Sequence, residues 1–267
     1  MATSPSVQLY TVRDAIAEDL QGAVARIAEI GFTKVEPYAF VERADEFERA
    51  FAASGVTAPS GHAPVIDSED PARAFAAAAQ LGIGTVIDPF IPTDRWQTLD
   101  DVEWIADRVN TLQVIAAESG IKFGYHNHQW EFANKIDGTT VYDLFLDRLS
   151  PEVVLELDTY WATVGGTNAA ELLTRLGSRV QFLHIKDGPI AGDIAAVLPS
   201  SESALKVPEA LANAFESQLP AGQGDVDVVS ILAAAPHALR VVEFDGYTGD
   251  VFDGVAQSFA WLKENDK

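Results

Sequence analysis

KFGYHNHQWEF, residues 122–132, is the stretch from which the fold of this chain is best deduced. It begins as a short apolar strand and ends in a polar cluster of His126, Asn127, His128 and Glu131. The chain has five histidines, and two of them lie here. Clusters of His, Asp and Glu indicate a metal or catalytic site more often than a packing role.

Three later apolar segments end in the same kind of side chain. They are LELD (155–158), FLHIKD (182–187) and VVEFD (241–245). The C-terminal ends of parallel strands in a barrel meet on one face, where active sites are built. We therefore expect Asp158, His184 and Glu243 to lie close to the 122–132 stretch.

A repeated unit of helix, glycine and strand predicts the architecture. Glycines that follow a helical pattern and precede a strand are Gly31, Gly55, Gly82, Gly120 and Gly177. The eight predicted strands lie near 6–10, 33–36, 57–61, 85–88, 122–127, 153–158, 180–185 and 240–244. Eight such units favour a closed (β/α)8 TIM barrel, as one domain over residues 1–267. An open doubly wound sheet is the alternative, but no GxGxxG or P-loop motif supports it.

Composition limits the classes of partner. The net charge of −22 repels nucleic acid and anionic membranes. No apolar run approaches the roughly 18 residues of a membrane span, and the N-terminus does not resemble a secretory signal. Without cysteine, thiolate chemistry and disulfides are excluded. We expect a cytoplasmic protein whose partner is a small molecule.

The connection between the seventh strand and its helix, residues 187–225, is unusually long. Loops of this length are mostly functional lids or disordered. Residues 206–215 have a helical pattern, which favours a partly ordered lid or an oligomer contact. Asp225 is predicted to cap the next helix. A homo-oligomer and a subunit of a hetero-oligomer are both compatible with this pattern.

Asp158, His184 and Glu243 form the core of a predicted ligand set. Each follows apolar residues, and a buried carboxylate costs much free energy unless it is paired or bound to a metal. Imidazole and carboxylate ligands suit Mn²⁺, Co²⁺, Fe²⁺ or Zn²⁺ better than Cu⁺. The alternative is a buried ion pair with Lys186, although one ammonium group cannot neutralise three carboxylates.

Other strand-end residues are candidates for substrate contacts. Glu36 and Asp88 end the second and fourth predicted strands, and for Asp88, before Pro89, the start of a turn is an equal alternative. Aromatic residues on the same rim suit the apolar face of a sugar ring or an aglycone. The predicted substrate contacts are Gln8, Tyr10, Glu36, His62, Asp88, Trp130 and Trp161.

With these motifs the chain resembles the xylose isomerase-like barrel superfamily of sugar phosphate isomerases and epimerases. The matching segments are VQLYTVRD (7–14), VEPYAF (35–40), GHAP (61–64), YHNHQWEF (125–132), LELDTYW (155–161), FLHIKDG (182–188), GQGDVD (222–227) and VVEFD (241–245). Members of that superfamily include inosose dehydratases, D-tagatose 3-epimerases, enzymes that process 3-keto-glycosides, and the endonuclease IV group.

The resemblance implies one divalent metal ion held by residues from strands five to eight. Mn²⁺ is the expected ion, with Co²⁺, Fe²⁺, Mg²⁺ or Zn²⁺ as alternatives. Asp158, His184 and Glu243 match three ligands, but many relatives read Glu-Asn-His where this chain reads His-Asn-His. Either His126 or Glu131 completes the set. A carboxylate-rich site favours Glu131, which leaves His126 and His128 for acid–base catalysis.

The implied activity is proton abstraction next to the carbonyl of a cyclic keto-sugar, keto-inositol or 3-keto-glycoside. Histidine in the glutamate position favours β-elimination, as in a lyase or dehydratase, with isomerisation or epimerisation by metal-assisted enolisation as the alternative. The implied catalytic residues are His126, His128, Lys186 and Glu243. A nuclease of the endonuclease IV kind, which the net charge disfavours, and a non-catalytic sugar-binding subunit are the other hypotheses.

Overall fold

A seven-stranded parallel sheet forms the centre of the computed structural model, which describes residues 4–190 and 216–267. Its strands are β1 (Ser6–Val7), β2 (Ser60–His62), β3 (Thr85–Asp88), β4 (Lys122–His126), β7 (Val154–Asp158), β8 (Val180–Ile185) and β9 (Leu239–Val242). The order across the sheet is β1-β9-β8-β7-β4-β3-β2. Strands that alternate with helices pair in parallel because each helix returns the chain to the same end of the sheet.

Residues 34–38 connect the two edges of this sheet. Glu36 forms a parallel bridge with Gln8, and Tyr38 forms one with His62. Backbone hydrogen bonds run from the Leu9 amide to the Glu36 carbonyl and from the His62 amide to the Pro37 carbonyl. The sheet therefore curls into the predicted TIM barrel, with three isolated bridges, the third between Lys34 and Thr57, in place of a regular second strand.

Helices surround the sheet. The described α-helices are α1 (Arg13–Ile30), α2 (Ala44–Ser54), α3 (Pro71–Gln80), α4 (Leu99–Glu118), α5 (Trp130–Ala133), α6 (Val141–Leu146), α7 (Thr159–Val164), α8 (Ala169–Leu176), α9 (Val228–Ala234) and α10 (Val251–Asn265). All five glycines predicted to end helices have positive φ angles, from +55° to +120°, which a side chain would strain. Apolar side chains between these helices and the sheet form one large buried cluster.

Several local predictions need correction. The first strand is shorter than predicted, because a 3-10 helix begins at Leu9. A small antiparallel hairpin, β5 (Lys135–Ile136) and β6 (Thr139–Thr140), was not predicted. The carboxylate that caps α9 is Asp227, not Asp225. The predicted helix at 206–215 lies outside the described residues. Within 4–190 and 216–267, no helix is long and apolar enough to cross a membrane.

Candidate metal centre and active site

Four strand ends bring four potential metal ligands together. His126 ends β4, Asp158 ends β7, His184 lies in β8, and Glu243 follows β9. One ligand atom from each lies within 4.8 Å of those of the other three, and all four side chains are buried. Parallel pairing places Asp158 directly beside His184. The three residues predicted as the core ligand set therefore do lie together, with His126 as the fourth.

The Lys186 ammonium group lies between three carboxylates. Its Nζ is 2.8 Å from Asp158 Oδ2, 2.7 Å from Glu243 Oε2 and 2.9 Å from Asp245 Oδ2. Burial opposes the charge, but these carboxylates outweigh it and raise the pKa of Lys186 well above its usual value. Burial also opposes ionisation of Glu243, yet Lys186 and His184 hold the pKa of that carboxyl well below its usual range. At Asp158 burial dominates and raises the pKa to about 6.

Two deeper carboxylates lie against ring nitrogens of the two ligand-type histidines. Glu156 Oε2 is 3.1 Å from His126 Nδ1, and Glu36 Oε1 is 2.7 Å from His184 Nε2. The other nitrogen of the second ring, His184 Nδ1, is 2.6 Å from Glu243 Oε2. His184 therefore lies between an inner and an outer carboxylate, which fixes the orientation of its ring.

His62 connects the two inner carboxylates. Its Nε2 is 2.6 Å from Glu156 Oε2 and 3.3 Å from Glu36 Oε1. Burial disfavours a charged ring, but Glu36 and Glu156 outweigh it and raise the pKa of His62. In the same way Glu156 and Glu243 raise the pKa of His184 well above its usual value. The neighbouring carboxylates thus favour the protonated form of both rings, which would offset part of the negative charge inside the barrel.

His126 and His128 are neutral rings, unlike the expected near-neutral acid–base pair. Burial and the positive charge of His184 lower the pKa of His126 to about 3. Burial is also the main reason that the pKa of His128 lies well below its usual value. The His128 ring stacks on Trp130, with centroids 4.3 Å apart, and meets Phe90 edge to face. Its Nδ1 is buried without a hydrogen-bond partner in the described parts of the chain.

Glu131, the preferred fourth ligand of the sequence analysis, lies apart from the ligand group. Its Oε1 accepts a hydrogen bond from the Tyr125 hydroxyl at 2.6 Å, and its Oε2 accepts one from the His128 amide at 3.0 Å. Burial raises the pKa of Glu131 to about 8. The contacts make Glu131 a support for the loop that carries His128.

Four residues predicted to contact the substrate make hydrogen bonds to other groups of the protein. Asp88 Oδ2 accepts hydrogen bonds from two backbone amides of the segment after β2 at 2.7 and 2.8 Å. Its Oδ1 accepts one from the Phe90 amide at 3.3 Å, the local contact expected of the turn alternative. Gln8 Nε2 donates to Glu36 Oε1 at 2.8 Å. The indole nitrogens of Trp130 and Trp161 donate to a backbone carbonyl and a carboxylate, at 3.0 and 3.1 Å.

A cavity of about 480 Å³ opens above these groups. Of the predicted substrate contacts, Tyr10 and His62 line it, together with all four predicted catalytic residues. The described lining residues are Tyr10, Arg13, Tyr38, Ala39, His62, Pro64, Pro89, Phe90, His126, His128, Lys186, Glu243 and Asp245.

Two acidic site residues were not singled out from the sequence. Glu156 contacts His62 and His126, and Asp245 contacts Lys186. Burial opposes ionisation of Glu156, but His184 and His62 hold the pKa of that carboxyl well below its usual range. Side chains two apart on a strand share a face, so the positions of Asp158 and Glu243 could have pointed to both residues.

The four-residue group of His126, Asp158, His184 and Glu243 fits a divalent cation. It offers two imidazole nitrogens and two carboxylates, a donor set suited to Mn²⁺, Co²⁺, Fe²⁺ or Zn²⁺. Asp158 Oδ2 is buried and lies 2.8 Å from Lys186 Nζ. A divalent ion bound here would therefore share this carboxylate with the ammonium group.

A family model described as xylose isomerase-like TIM barrel matches residues 24–264. Among curated proteins, an inosose dehydratase from Geobacillus kaustophilus is 33% identical over 118 residues. The match spans 42% of this chain but only 37% of that relative.

Among solved structures, a sugar phosphate isomerase/epimerase from Parabacteroides distasonis superimposes with a TM-score of 0.75 at 22% identity, covering 98% of this chain and 94% of that one. The IolI protein with a bound zinc atom has a TM-score of 0.70 at 14% identity, covering 99% of this chain and 98% of that one. At these identities the superpositions show a shared fold.

Proposed function

Because the chain belongs to the xylose isomerase-like TIM barrel family, we propose that it is a metal-dependent lyase of cyclic keto-sugars. The substrate is a cyclic keto-sugar, a keto-inositol or a 3-keto-glycoside. The reaction removes the proton next to the carbonyl and expels an oxygen group from the β carbon. The name of the inosose dehydratase relative supports this reaction class, and a cavity of about 480 Å³ above a polar centre supports a carbohydrate of small-molecule size as the substrate.

In this proposal the metal ligands are His126, Asp158, His184 and Glu243, with His126 in place of the Glu131 expected from composition. Mn²⁺ is the preferred ion, with Co²⁺, Fe²⁺, Mg²⁺ and Zn²⁺ as alternatives. A bound divalent ion supplies Lewis acidity at the substrate carbonyl. Glu156 lies against His126 Nδ1 and Glu36 against His184 Nε2, so that the other nitrogen of each ring would be the one that holds the ion.

The single observation that carries the proposal is the position of His128. This ring lines the cavity and is neutral, and of the two predicted catalytic histidines it is the one that is not also a proposed metal ligand. A neutral imidazole has one nitrogen lone pair, which can accept a proton. In the elimination, the C–H electron pair becomes the new carbon–carbon double bond, and the C–O pair leaves with the oxygen. His128 takes the carbon proton and returns it to that leaving oxygen.

Lys186 serves as a fixed positive charge in this scheme. Its ammonium group lines the cavity and is held by three carboxylates, so it does not have to reorient during the reaction. A pre-oriented cation stabilises negative charge that develops on a substrate oxygen. Its raised pKa makes it a poor proton donor, which leaves proton transfer to His128.

Epimerisation by metal-assisted enolisation is the second candidate, and the presence of Glu243 in the same cavity favours it. Epimerisation needs a second proton carrier on the other face of the substrate carbon. The carboxylate of Glu243 could supply it, but its Oε2 is shared by His184 and Lys186 at 2.6 and 2.7 Å. Glu243 is thus already paired with two cationic groups, whereas His128 is not a proposed metal ligand. This favours an elimination that uses His128 as its one base over an epimerisation that needs both residues.

Incubation of the Mn²⁺-loaded protein with an inosose and with a methyl 3-keto-glucoside in D₂O, followed by NMR, tests the proposal. We expect an unsaturated ketone and released water or methanol. His128→Gln should slow elimination about 10²–10⁴-fold, as expected for loss of a general base. His237→Gln is the matched control, since His237 bonds a backbone carbonyl outside the cavity. Inversion at one carbon without an unsaturated product would refute the elimination and support the epimerase.

A further inference from the structure

The cavity has two halves of different chemistry. The ends of β4, β8 and β9 supply the polar half, which contains the catalytic groups described above. The ends of β1, β2 and β3 and the 34–38 segment supply a second half that is mostly apolar. Its members are Tyr10, Tyr38, Ala39, Pro64, Pro89 and Phe90. His62 is the polar side chain that enters from β2.

The cavity is larger than one sugar ring requires. A hexose has twelve non-hydrogen atoms, and even at a full water volume of about 30 Å³ for each it fills about 360 Å³. The cavity holds about 480 Å³. A substituent on the sugar therefore has room beside the ring. The polar half of the cavity contains the groups that contact the sugar, so the substituent would lie in the apolar half.

Tyr10 is held rigidly although its side chain is accessible. The Gln8 side chain accepts a hydrogen bond from its amide at 3.0 Å. Its ring meets Tyr38 edge to face, with centroids 5.2 Å apart, and the Arg13 guanidinium lies 4.4 Å from its centre. The residue is nevertheless 40% exposed. A rigid, exposed aromatic ring binds a planar partner with little loss of conformational entropy.

We infer that this apolar half is a subsite for an aromatic group carried by the sugar, so that the substrate is an aryl keto-glycoside. The inference rests on the proposed function for the sugar end only. Pro64, Pro89 and Phe90 have no side-chain hydrogen-bonding group, so the hydroxyls of a second sugar would be left unpaired against them.

The test uses parent β-glucosides, which lack the carbonyl and cannot react. Phenyl β-glucoside, methyl β-glucoside and cellobiose are titrated into the Mn²⁺-loaded full-length protein by calorimetry. Phenyl β-glucoside should bind more tightly than both others. Tyr10→Leu should narrow the phenyl-to-methyl ratio about two- to tenfold, the range of one aromatic pair contact. Tyr38→Leu should narrow the same ratio, and this variant replaces Tyr10→Leu in the test if Tyr10→Leu does not fold.

The matched control is Trp104→Leu. Trp104 is 48% exposed on α4, outside the cavity, and its loss should leave the ratio unchanged. A phenyl glucoside that binds no better than cellobiose, or that does not bind at all, overturns the subsite. The subsite is also overturned if Tyr10→Leu weakens the binding of phenyl and methyl glucosides equally, because Tyr10 would then contact the sugar and not the phenyl group.

Failure of the proposed function has a different signature. In that case neither keto-sugar of the D₂O experiment eliminates, while the phenyl preference and its dependence on Tyr10 persist. The converse result, elimination of methyl 3-keto-glucoside without any phenyl preference, refutes the subsite and leaves the reaction intact.

Discussion

Replacement of Glu156 with glutamine should weaken metal binding without removing a ligand. Glu156 Oε2 lies 2.6 Å from His62 Nε2 and 3.1 Å from His126 Nδ1. When one nitrogen of an imidazole binds a metal, a carboxylate that accepts a hydrogen bond from the other nitrogen orients the ring and raises its basicity. Glutamine keeps the shape and one acceptor oxygen but loses the charge, so the change isolates the electrostatic part of this support.

The expected loss of Mn²⁺ affinity is about 10- to 100-fold, or about 1.4–2.8 kcal/mol, the usual effect of removing such a partner. The upper part of this range suits Glu156 for two reasons. Its side chain is fully buried, so no water replaces the lost charge. The same oxygen also lies 3.2 Å from His184 Nε2, so both proposed imidazole ligands lose the same carboxylate.

The assay is a Mn²⁺ titration in competition with a chelator of known affinity, with circular dichroism to verify folding. Glu131→Gln is the matched control, because it makes the same substitution at a carboxylate that is equally buried. Glu131 contacts Tyr125 and the His128 amide instead of the ligand group. Its variant should therefore bind Mn²⁺ with the affinity of the unmodified protein.

The opposite pattern of Mn²⁺ affinities in the two variants would refute the assignment of Glu156. Loss of metal in Glu131→Gln, with unchanged affinity in Glu156→Gln, would make Glu131 the fourth ligand and return Glu156 to a packing role. A folded Glu156→Gln protein with unchanged Mn²⁺ affinity would by itself refute the support of the ligand rings.

Two further outcomes follow from the structure. Asp158→Ala and His184→Ala should each lose Mn²⁺ and turnover while keeping the circular dichroism of the barrel; full metal content by elemental analysis in either variant would contradict the ligand set. The unmodified protein should lose stability as pH rises from about 4.5 to about 8, because Glu131 keeps its proton in the folded state after the unfolded chain has released it. The part of this loss that is due to Glu131 is at most about 5 kcal/mol, and Glu131→Gln should remove that part in urea unfolding at several pH values.

The barrel could be deduced from the sequence because its signals are local. Each unit repeats an amphipathic helix, a glycine with positive φ and an apolar strand, and each signal is contained in a few neighbouring residues. The second strand illustrates the limit. Residues 34–38 make only isolated bridges, to Gln8, Thr57 and His62, and Pro37 among them has no amide hydrogen to donate. Regular pairing there depends on neighbours on both sides, which a short apolar pattern does not reveal.

At the site, the sequence located the strand ends but not the direction of every side chain. Asp158, His184 and Glu243 end extended strands, whose alternating geometry is predictable. Glu131 instead lies in the first turn of α5, and its direction depends on how that turn packs. There the Tyr125 hydroxyl and the His128 amide satisfy its carboxylate. Glu131 is predicted as a ligand from the sequence because many metal ions prefer carboxylate ligands. That chemical preference contains no information about how the turn packs.

The charge balance inside the barrel connects the fold to the proposed metal. The described residues gather five acidic side chains in the barrel: Asp158, Glu243 and Asp245 lie against the Lys186 ammonium group, and Glu36 and Glu156 lie against His184. Buried charges require compensation nearby. Here the neighbouring carboxylates raise the pKa of His62 and of His184, which favours the protonated form of both rings. A divalent cation bound to the four-residue group would supply positive charge directly, and it needs the ligating nitrogen of His184 unprotonated. The carboxylates that orient the ligand rings therefore also add to the negative charge that a cation would offset.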